Sequence, residues 1–312
     1  MILNNTRGRR VATVVLASGL LLTVSPLSAP VQAAAKPKPS ISGAGGYLMD
    51  LDTGKVLYSK GNGTRREMAS TTKIATALTV LTLKGVDLDR KVTIKQEYRD
   101  YIVREKGSTA DLKTGDRVTV RQLLHGLMLR SGCDAAYALA DALGKGSTRS
   151  ERTKSFIGMM NKKVASLGLK DTKFDSFDGI SPGGKTYTTP SDLTKLTQHA
   201  FKNKIFRAVV KKKFYTGKAP AANGGTRTYS WENSNTLLGS YRGTVGVKTG
   251  TGSKAGPCLV FAATRGSKTY VGVILNGKDR FNDAAKLMDY GFGSNDAKSL
   301  KLRTLRPETS PN

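Results

Sequence analysis

The 312-residue chain predicts an α/β (α+β) fold, a mostly antiparallel sheet flanked by helices and built from both chain ends, with an all-helical subdomain inserted between. Three observations predict it. Residues 46–59 alternate apolar and polar side chains about a turn, and the stretch from about 85 to 235 carries helix-period apolar patterns. Three short runs rich in β-branched residues then follow Trp231.

The elements read as follows from the N-terminus. Arg7, Arg9 and Arg10 precede the mostly apolar Val11–Val24, and Val31-Gln32-Ala33 has the small-residue form of a cleavage site. Residues 1–33 therefore read as a secretory signal. The apolar run is too short, and too interrupted by Thr13, Ser18, Gly19 and Thr23, to span a bilayer comfortably. Arg9-Arg10 is a weak twin-arginine feature, and general secretion is the simpler route. With no second stretch of spanning length, the mature chain reads as exported and soluble, secreted or associated with the cell wall, with no stable membrane anchor.

Residues 34–42, containing Lys36-Pro37-Lys38-Pro39, read as a linker. A hairpin follows, Gly46–Leu51 returning as Lys55–Ser59 around Asp52-Thr53-Gly54. Helical patterning runs from Ser70 to about Lys84, where Gly85 stops it. In the middle, Val120–Arg130 and Asp134–Leu143 flank a break at Ser131-Gly132. Further helices are predicted from about Ser150 to Leu167 and over Pro190–Phe201 behind a Thr189 cap. "GTVGVKTG", "CLVFAATR" and "TYVGVILN" are the late strands. Asn282–Tyr290 reads as a last helix, and residues 293–312 as a polar tail.

The formal net charge is +28, and loss of residues 1–33 would remove three arginines and no acid, leaving +25. Such a charge suits polyanionic surroundings. For an exported protein it points to anionic cell-wall polymers rather than nucleic acid, for which no interleaved Arg/aromatic motif is present. A solvated face serving solubility accounts for the same lysines equally well. The two cysteines, Cys133 and Cys258, are too few for a disulfide framework but allow one bridge. The two histidines, His125 and His199, are far apart without metal-ligand spacing, so the sequence calls for no metal and no cofactor.

The chemistry-bearing residues form an ordered set. Ser70-Thr71-Thr72-Lys73 is the one S-x-x-K in the chain. Three residues along a helix put Lys73 on the same face as Ser70, and a lysine whose ammonium is destabilised can take a serine proton. Ser70 reads at this level either as a helix cap or as a nucleophile with Lys73 as its base. K-T-G occurs twice. Lys113-Thr114-Gly115 lies among charges ahead of the helical middle and reads as an ordinary loop. Lys248-Thr249-Gly250 ends a Gly/Val strand, where Thr249 and backbone groups can pair with an extended peptide and the lysine can meet a carboxylate. Ser131-Gly132-Cys133 lies between the two, in the helix break.

The order "STTK", "SGC", "KTG" resembles the low-molecular-mass penicillin-binding proteins, the serine D-Ala-D-Ala carboxypeptidases and transpeptidases. "GGYLMDLDTGKVLYSKG", "VTVRQLLHGLMLRSGCDAAYALAD", "FDSFDGI" with "YTTPSDLTKL", and "GVKTGTGSKAGPCLVFAATR" extend the likeness over residues 43–292. It is similar above all to the small, single-domain secreted actinobacterial members. The resemblance implies the penicillin-binding fold, acyl transfer on peptidoglycan stem peptides, and acylation by β-lactams. It makes Ser70 the acyl-ester nucleophile, Lys73 its proton acceptor, and Ser131 a relay to the leaving amine. Lys248 would hold a terminal carboxylate with Thr249, and the backbone N–H groups of Ser70 and Thr251 would form the oxyanion hole.

Two departures from the family pattern stand out. Cys133 occupies the position where most members have Asn, so contacts to a substrate amide loosen. It reads as a thiolate near two lysines, an inert buried thiol, or the partner of Cys258. The second departure is that neither a β-domain nor an amphipathic anchor follows the catalytic region. Two rivals remain: a β-lactamase, opposed by the lack of S-D-N and E-x-x-L-N, and a non-catalytic cell-wall-binding protein, opposed by the intact set of Ser70, Lys73, Ser131 and Lys248.

Overall fold

The computed structural model describes residues 1–3, 8, 11–14 and 37–306. Most of the expected signal and the first part of the linker lie outside the described residues. The chain divides into Met1–Pro37 and Lys38–Asn312, and the second unit carries the fold.

In chain order the strands are β1 (Gly45–Asp50), β2 (Val56–Lys60), β3 (Lys91–Thr93), β4 (Arg117–Thr119), β5 (Phe214–Pro220), β6 (Thr226–Glu232), β7 (Thr244–Gly252), β8 (Gly256–Arg265) and β9 (Lys268–Leu275). The helices are α1 (Lys73–Thr82), α2 (Gln96–Glu105), α3 (Val120–Leu129), α4 (Cys133–Leu143), α5 (Arg149–Ser166), α6 (Pro190–Phe201), α7 (Lys204–Val210) and α8 (Arg280–Phe292). Five strands make one sheet in the order β2-β1-β9-β8-β7, with every pairing antiparallel.

Period-two alternation in the central strands feeds two cores. Met49, Val260, Ala262, Val271 and Val273 face α1 and the helical insertion. Leu48, Phe261, Tyr270 and Ile274 face α8, where Ala284, Ala285, Leu287 and Met288 receive them. Each fully buried side chain of this kind contributes about 1.5–3 kcal/mol of transfer free energy. Helix α1 runs through the larger core and is buried on all sides from Lys73 to Val80, its apolar residues interrupted by Lys73, Thr76 and Thr79.

The insertion between α1 and β7 holds α2–α7, and side-chain caps set the starts of α3, α5, α6 and α7. Thr119 and Gln122 form a capping box at α3, and Thr148 and Glu151 another at α5. Thr189 accepts from the Asp192 N–H behind Pro190 at α6. The insertion is not all-helical, however. It contains two antiparallel ribbons, β3–β4 and β5–β6. The second is a hairpin of two seven-residue strands whose Tyr215, Tyr229 and Trp231 stack in series at 5.4–5.6 Å, a cross-strand aromatic packing that a helix could not offer.

Three further expectations are corrected. Helix α1 begins at Lys73, three residues later than predicted, after a 3-10 turn over Ala69–Thr72, and no side chain caps it. The end of the expected linker is anchored: Ile41 is buried, and Asp283 receives the Ser42 N–H and hydroxyl and the Gly43 N–H at 2.7–3.0 Å. The described part of the tail is likewise packed, Arg303 reaching the Leu238 and Asn233 carbonyls and the Glu232 carboxylate. No helix among the described residues is long and apolar enough to cross a membrane.

Candidate active site

Ser70 lies in the 3-10 turn, and Lys73 opens the helix that follows. The turn points the lysine back onto the serine: Lys73 Nζ lies 2.9 Å from Ser70 Oγ. Fully buried, that amine has two more partners, the Asp178 carbonyl at 2.9 Å and Cys133 Sγ at 3.3 Å. An ammonium has three N–H donors, and all three are matched. Ser70 is thus no cap; its hydroxyl is engaged by the lysine.

The carbonyl that receives Lys73 comes from a loop pinned on both sides. Thr76, one turn along α1, donates to the adjacent Phe177 carbonyl. The Asp178 carboxylate accepts from Tyr101 OH at 3.0 Å, Ser176 Oγ at 3.0 Å and the Ile180 N–H at 2.9 Å. Gly179 follows at φ +97°, where an added Cβ would stand 2.0 Å from the Ala69 carbonyl oxygen. Only glycine lets this loop close on the nucleophile's turn.

Cys133 opens α4 directly after the Ser131-Gly132 break. Burial pushes its thiol up to about 12 against the opposing pull of Lys73. At neutral pH it is a thiol, not a thiolate. Cys133 and Cys258 are both free and buried, so the bridge between them is absent. Ser131 holds φ +61°, costly for a residue with a Cβ. Its hydroxyl is buried without a hydrogen-bond partner among the described residues, so it joins neither Lys73 nor Lys248 directly.

Strand β7 forms the sheet edge, pairing with β8 alone. Lys248 is buried on it and donates to the Thr249 carbonyl at 2.9 Å. Burial drives its ammonium well below the usual lysine range, and the positive charges of Lys73 and Arg280 add to this. The Thr249 and Ser234 hydroxyls pair at 2.7 Å. Gly250 packs against the nucleophile's turn so closely that an added Cβ would lie 3.1 Å from Met68 O, Ser70 N and Thr71 N. The Ser70 turn and the Thr251 strand are thereby held in contact.

Arg280, which together with Lys278 is a weaker sequence candidate for carboxylate binding outside the three motifs, joins the site. Its guanidinium donates to Gly250 O at 2.7 Å and to Thr251 Oγ1 at 2.8 Å, and burial pulls its pKa down. A half-buried cation beside Lys248 has no motif spacing to mark it, because β7 and α8 meet only in the fold.

The family model for D-alanyl-D-alanine carboxypeptidases of the S11 peptidase family matches residues 31–279. This chain belongs to that family. It is 53% identical over 290 residues to the D-alanyl-D-alanine carboxypeptidase of Streptomyces sp. (strain K15), covering 92% of this chain and 99% of the relative. The crystal structure of the Streptomyces K15 DD-transpeptidase is similar with a TM-score of 0.81 and 55% identity, over 83% of this chain and 100% of that one. A penicillin-binding protein homologue from Mycobacterium tuberculosis is similar with a TM-score of 0.71 and 30% identity, over 84% and 96%. These neighbours carry the penicillin-binding fold expected from the motifs. In this S11 peptidase, Lys73 meets both Ser70 and Cys133 directly, and Gly250 brings the K-T-G strand onto the Ser70 turn. Lys113-Thr114-Gly115 lies in a loop, as read.

Proposed function

We propose that this chain is an exported serine acyltransferase of peptidoglycan stem peptides ending in D-Ala-D-Ala, with Ser70 as nucleophile and Lys73 as base. The observation that carries the reading is the three-way coordination of Lys73 Nζ by Ser70 Oγ, Cys133 Sγ and the Asp178 carbonyl. The same geometry serves the neutral amine. Two N–H groups stay on the sulfur and the carbonyl, and the lone pair faces the Ser70 hydroxyl.

Ser70 Oγ attacks the penultimate D-Ala carbonyl as its proton passes to Lys73. The backbone N–H groups of Ser70 and Thr251 stabilise the oxyanion, a donor of this kind contributing about 2.7–4 kcal/mol in other acyl-transfer enzymes. The bond to the terminal D-Ala nitrogen breaks as Ser131, whose buried hydroxyl has no partner among the described residues, gives its own proton to the leaving amine and regains one from the Lys73 ammonium. Lys248 and Arg280 supply the positive field for the terminal carboxylate, and Thr249 hydrogen-bonds it. Cys133, as a thiol, offers a substrate amide weaker hydrogen bonds than an asparagine would. Water resolves the ester in carboxypeptidase action, and an amine of another stem does so in transpeptidation.

A β-lactam enters the same first step. The carboxylate on the residue that binds Lys73, Asp178, is committed to Tyr101, Ser176 and Ile180 and is not free to activate a hydrolytic water. The penicilloyl ester should therefore be long-lived, against the β-lactamase alternative. Intact mass after brief exposure to benzylpenicillin tests the reading. A stable adduct on the wild type and none on Ser70→Ala is expected. An adduct on Ser70→Ala, or rapid penicillin turnover, would overturn it.

A further inference from the structure

Between Asp192 and Glu232 the chain carries nine lysines and arginines and no carboxylate. Six of them, Lys202, Lys204, Arg207, Lys211, Lys212 and Lys213, are exposed at the end of α6, on α7 and at the entry to β5. At 1.5 Å rise per residue α7 is only about 10 Å long, so the six charges are crowded together. Lys204, Arg207 and Lys211 share one helix face by their spacing.

This segment lacks the counter-charges found elsewhere. Lys95 and Arg152 flank Asp141, Lys113 meets Asp111, and Arg121 meets Asp89. None of the six cations forms an ion pair among the described residues. The two bounding acids are turned inward: Asp192 receives the Asp171 N–H and the Thr172 hydroxyl, and Glu232 is bound by Arg303. Lys202 and Arg207 also line a groove of about 540 Å³ with Leu51, Gln198, Phe201 and one carboxylate, Asp52.

The segment is tied to the candidate active site. Asn233 donates its N–H to the Lys213 carbonyl at 2.8 Å and its amide group to the Val210 and Lys212 carbonyls. The next residue, Ser234, pairs with Thr249. The surface has no bare apolar wedge of the kind that insertion into a bilayer needs. Its exposed aromatic, Phe214, has the guanidinium groups of Arg303 and Arg306 6.0 and 5.4 Å from its ring centroid.

We propose that the α7 face, Lys202 to Lys213, docks a hydrated linear polyanion, a chain of phosphate or carboxylate groups, beside the catalytic cleft. Binding there would raise the local concentration of stem peptides borne on the same wall material. That consequence, though not the docking itself, rests on the acyltransferase reading.

The test uses the full chain with long-chain inorganic polyphosphate as probe, compared with vesicles rich in phosphatidylglycerol. The variant is K202Q/K204Q/K211Q/K212Q, and the control removes the equally exposed Lys84, Lys145, Lys170 and Lys286 in the same way. The wild type should bind polyphosphate with a steep log–log salt dependence. The α7 variant should bind at least tenfold more weakly near 0.1 M salt, with a slope shallower by roughly three; the control should lose under threefold. Penicillin acylation should be equal in all three proteins, showing that the fold and Ser70 are intact. Equal losses in variant and control, no loss in the variant, or binding to vesicles but not to polyphosphate would each overturn the docking surface. Patch-dependent binding without D-Ala release from a stem peptide would leave it standing and overturn the acyltransferase reading instead.

Discussion

The chain contains the tripeptide Lys-Thr-Gly twice, and the two copies have little in common physically. The Lys113 side chain is 41% exposed and sits on both oxygens of Asp111. Thr114 meets Gln96, and Gly115 turns the chain at φ +83°. Lys248 is buried, with no carboxylate partner among the described residues. Thr249 pairs with Ser234, and Gly250 makes room for the Ser70 turn. The first copy is a solvated loop with its charge answered. The second is a buried cation on a sheet edge, held beside two other cations. What makes the tripeptide chemical is the surroundings that leave its charge unanswered.

The largest expected effect separates the two lysines by activity. Lys248→Gln should lower kcat/KM for D-Ala-D-Ala peptides, and the rate of β-lactam acylation, by two to three orders of magnitude. That is the scale of about 3–4 kcal/mol for a lost buried charge contact. Lys113→Gln should stay within about twofold, and similar losses in both would break the comparison. Amine labelling followed by peptide mass analysis should sharpen it next. Lys113 should be labelled in the folded protein, with Lys248 protected until the protein is unfolded.

A smaller effect concerns stability, with an inverted sign. The folded-state pKa of Lys248 is depressed, so its contribution to stability is present above the unfolded lysine value of about 10.4 and is lost as pH falls through the folded value. At pH 7 the buried amine therefore destabilises the fold. Lys248→Met should raise Tm by a few °C at pH 7, flatten the rise in Tm towards pH 10, and abolish acylation. Lys113→Met should change none of these, and a lower Tm for Lys248→Met would refute the account. Smallest of all, Thr249→Val strands the Ser234 hydroxyl and should cost about 1 kcal/mol. Thr114→Val, at an exposed bond, should fall within the ±0.5 kcal/mol of ordinary surface changes; thermal melts of the pair decide.

Much of this was legible before the fold was known, because local rules set it. Helix α6 begins where Thr189 and Pro190 require, and the late strands follow their β-branched runs. Gly/Val patterning marked which K-T-G would lie on a strand. Other features carried no local signal. The acceptor that helps to hold Lys73 is a backbone carbonyl, which any residue supplies, so Asp178 could not be singled out. Tyr101 and Arg280 act across the fold, from α2 and α8. The β5–β6 ribbon was hidden by Gly217, Pro220 and the Ala/Gly-rich turn, which weaken strand propensity that aromatic stacking then overrides. The Cys133 thiol needed a structure too, since proximity to lysine and burial act in opposite directions and burial dominates.

The pairing of β1 with β9 has a consequence in time. Residues 45–50 lie at the heart of the sheet, yet their partners are residues 270–275, and the path to K-T-G on β7 runs from β9 through β8. Closing a loop of more than 200 residues is slow and has to wait for its far end. A chain still being made, or threaded through a membrane pore, has no nucleophile seated against β7 until its last strand arrives. Catalytic competence should switch on late and all at once, so that a partly delivered chain is inert towards both stem peptides and penicillin.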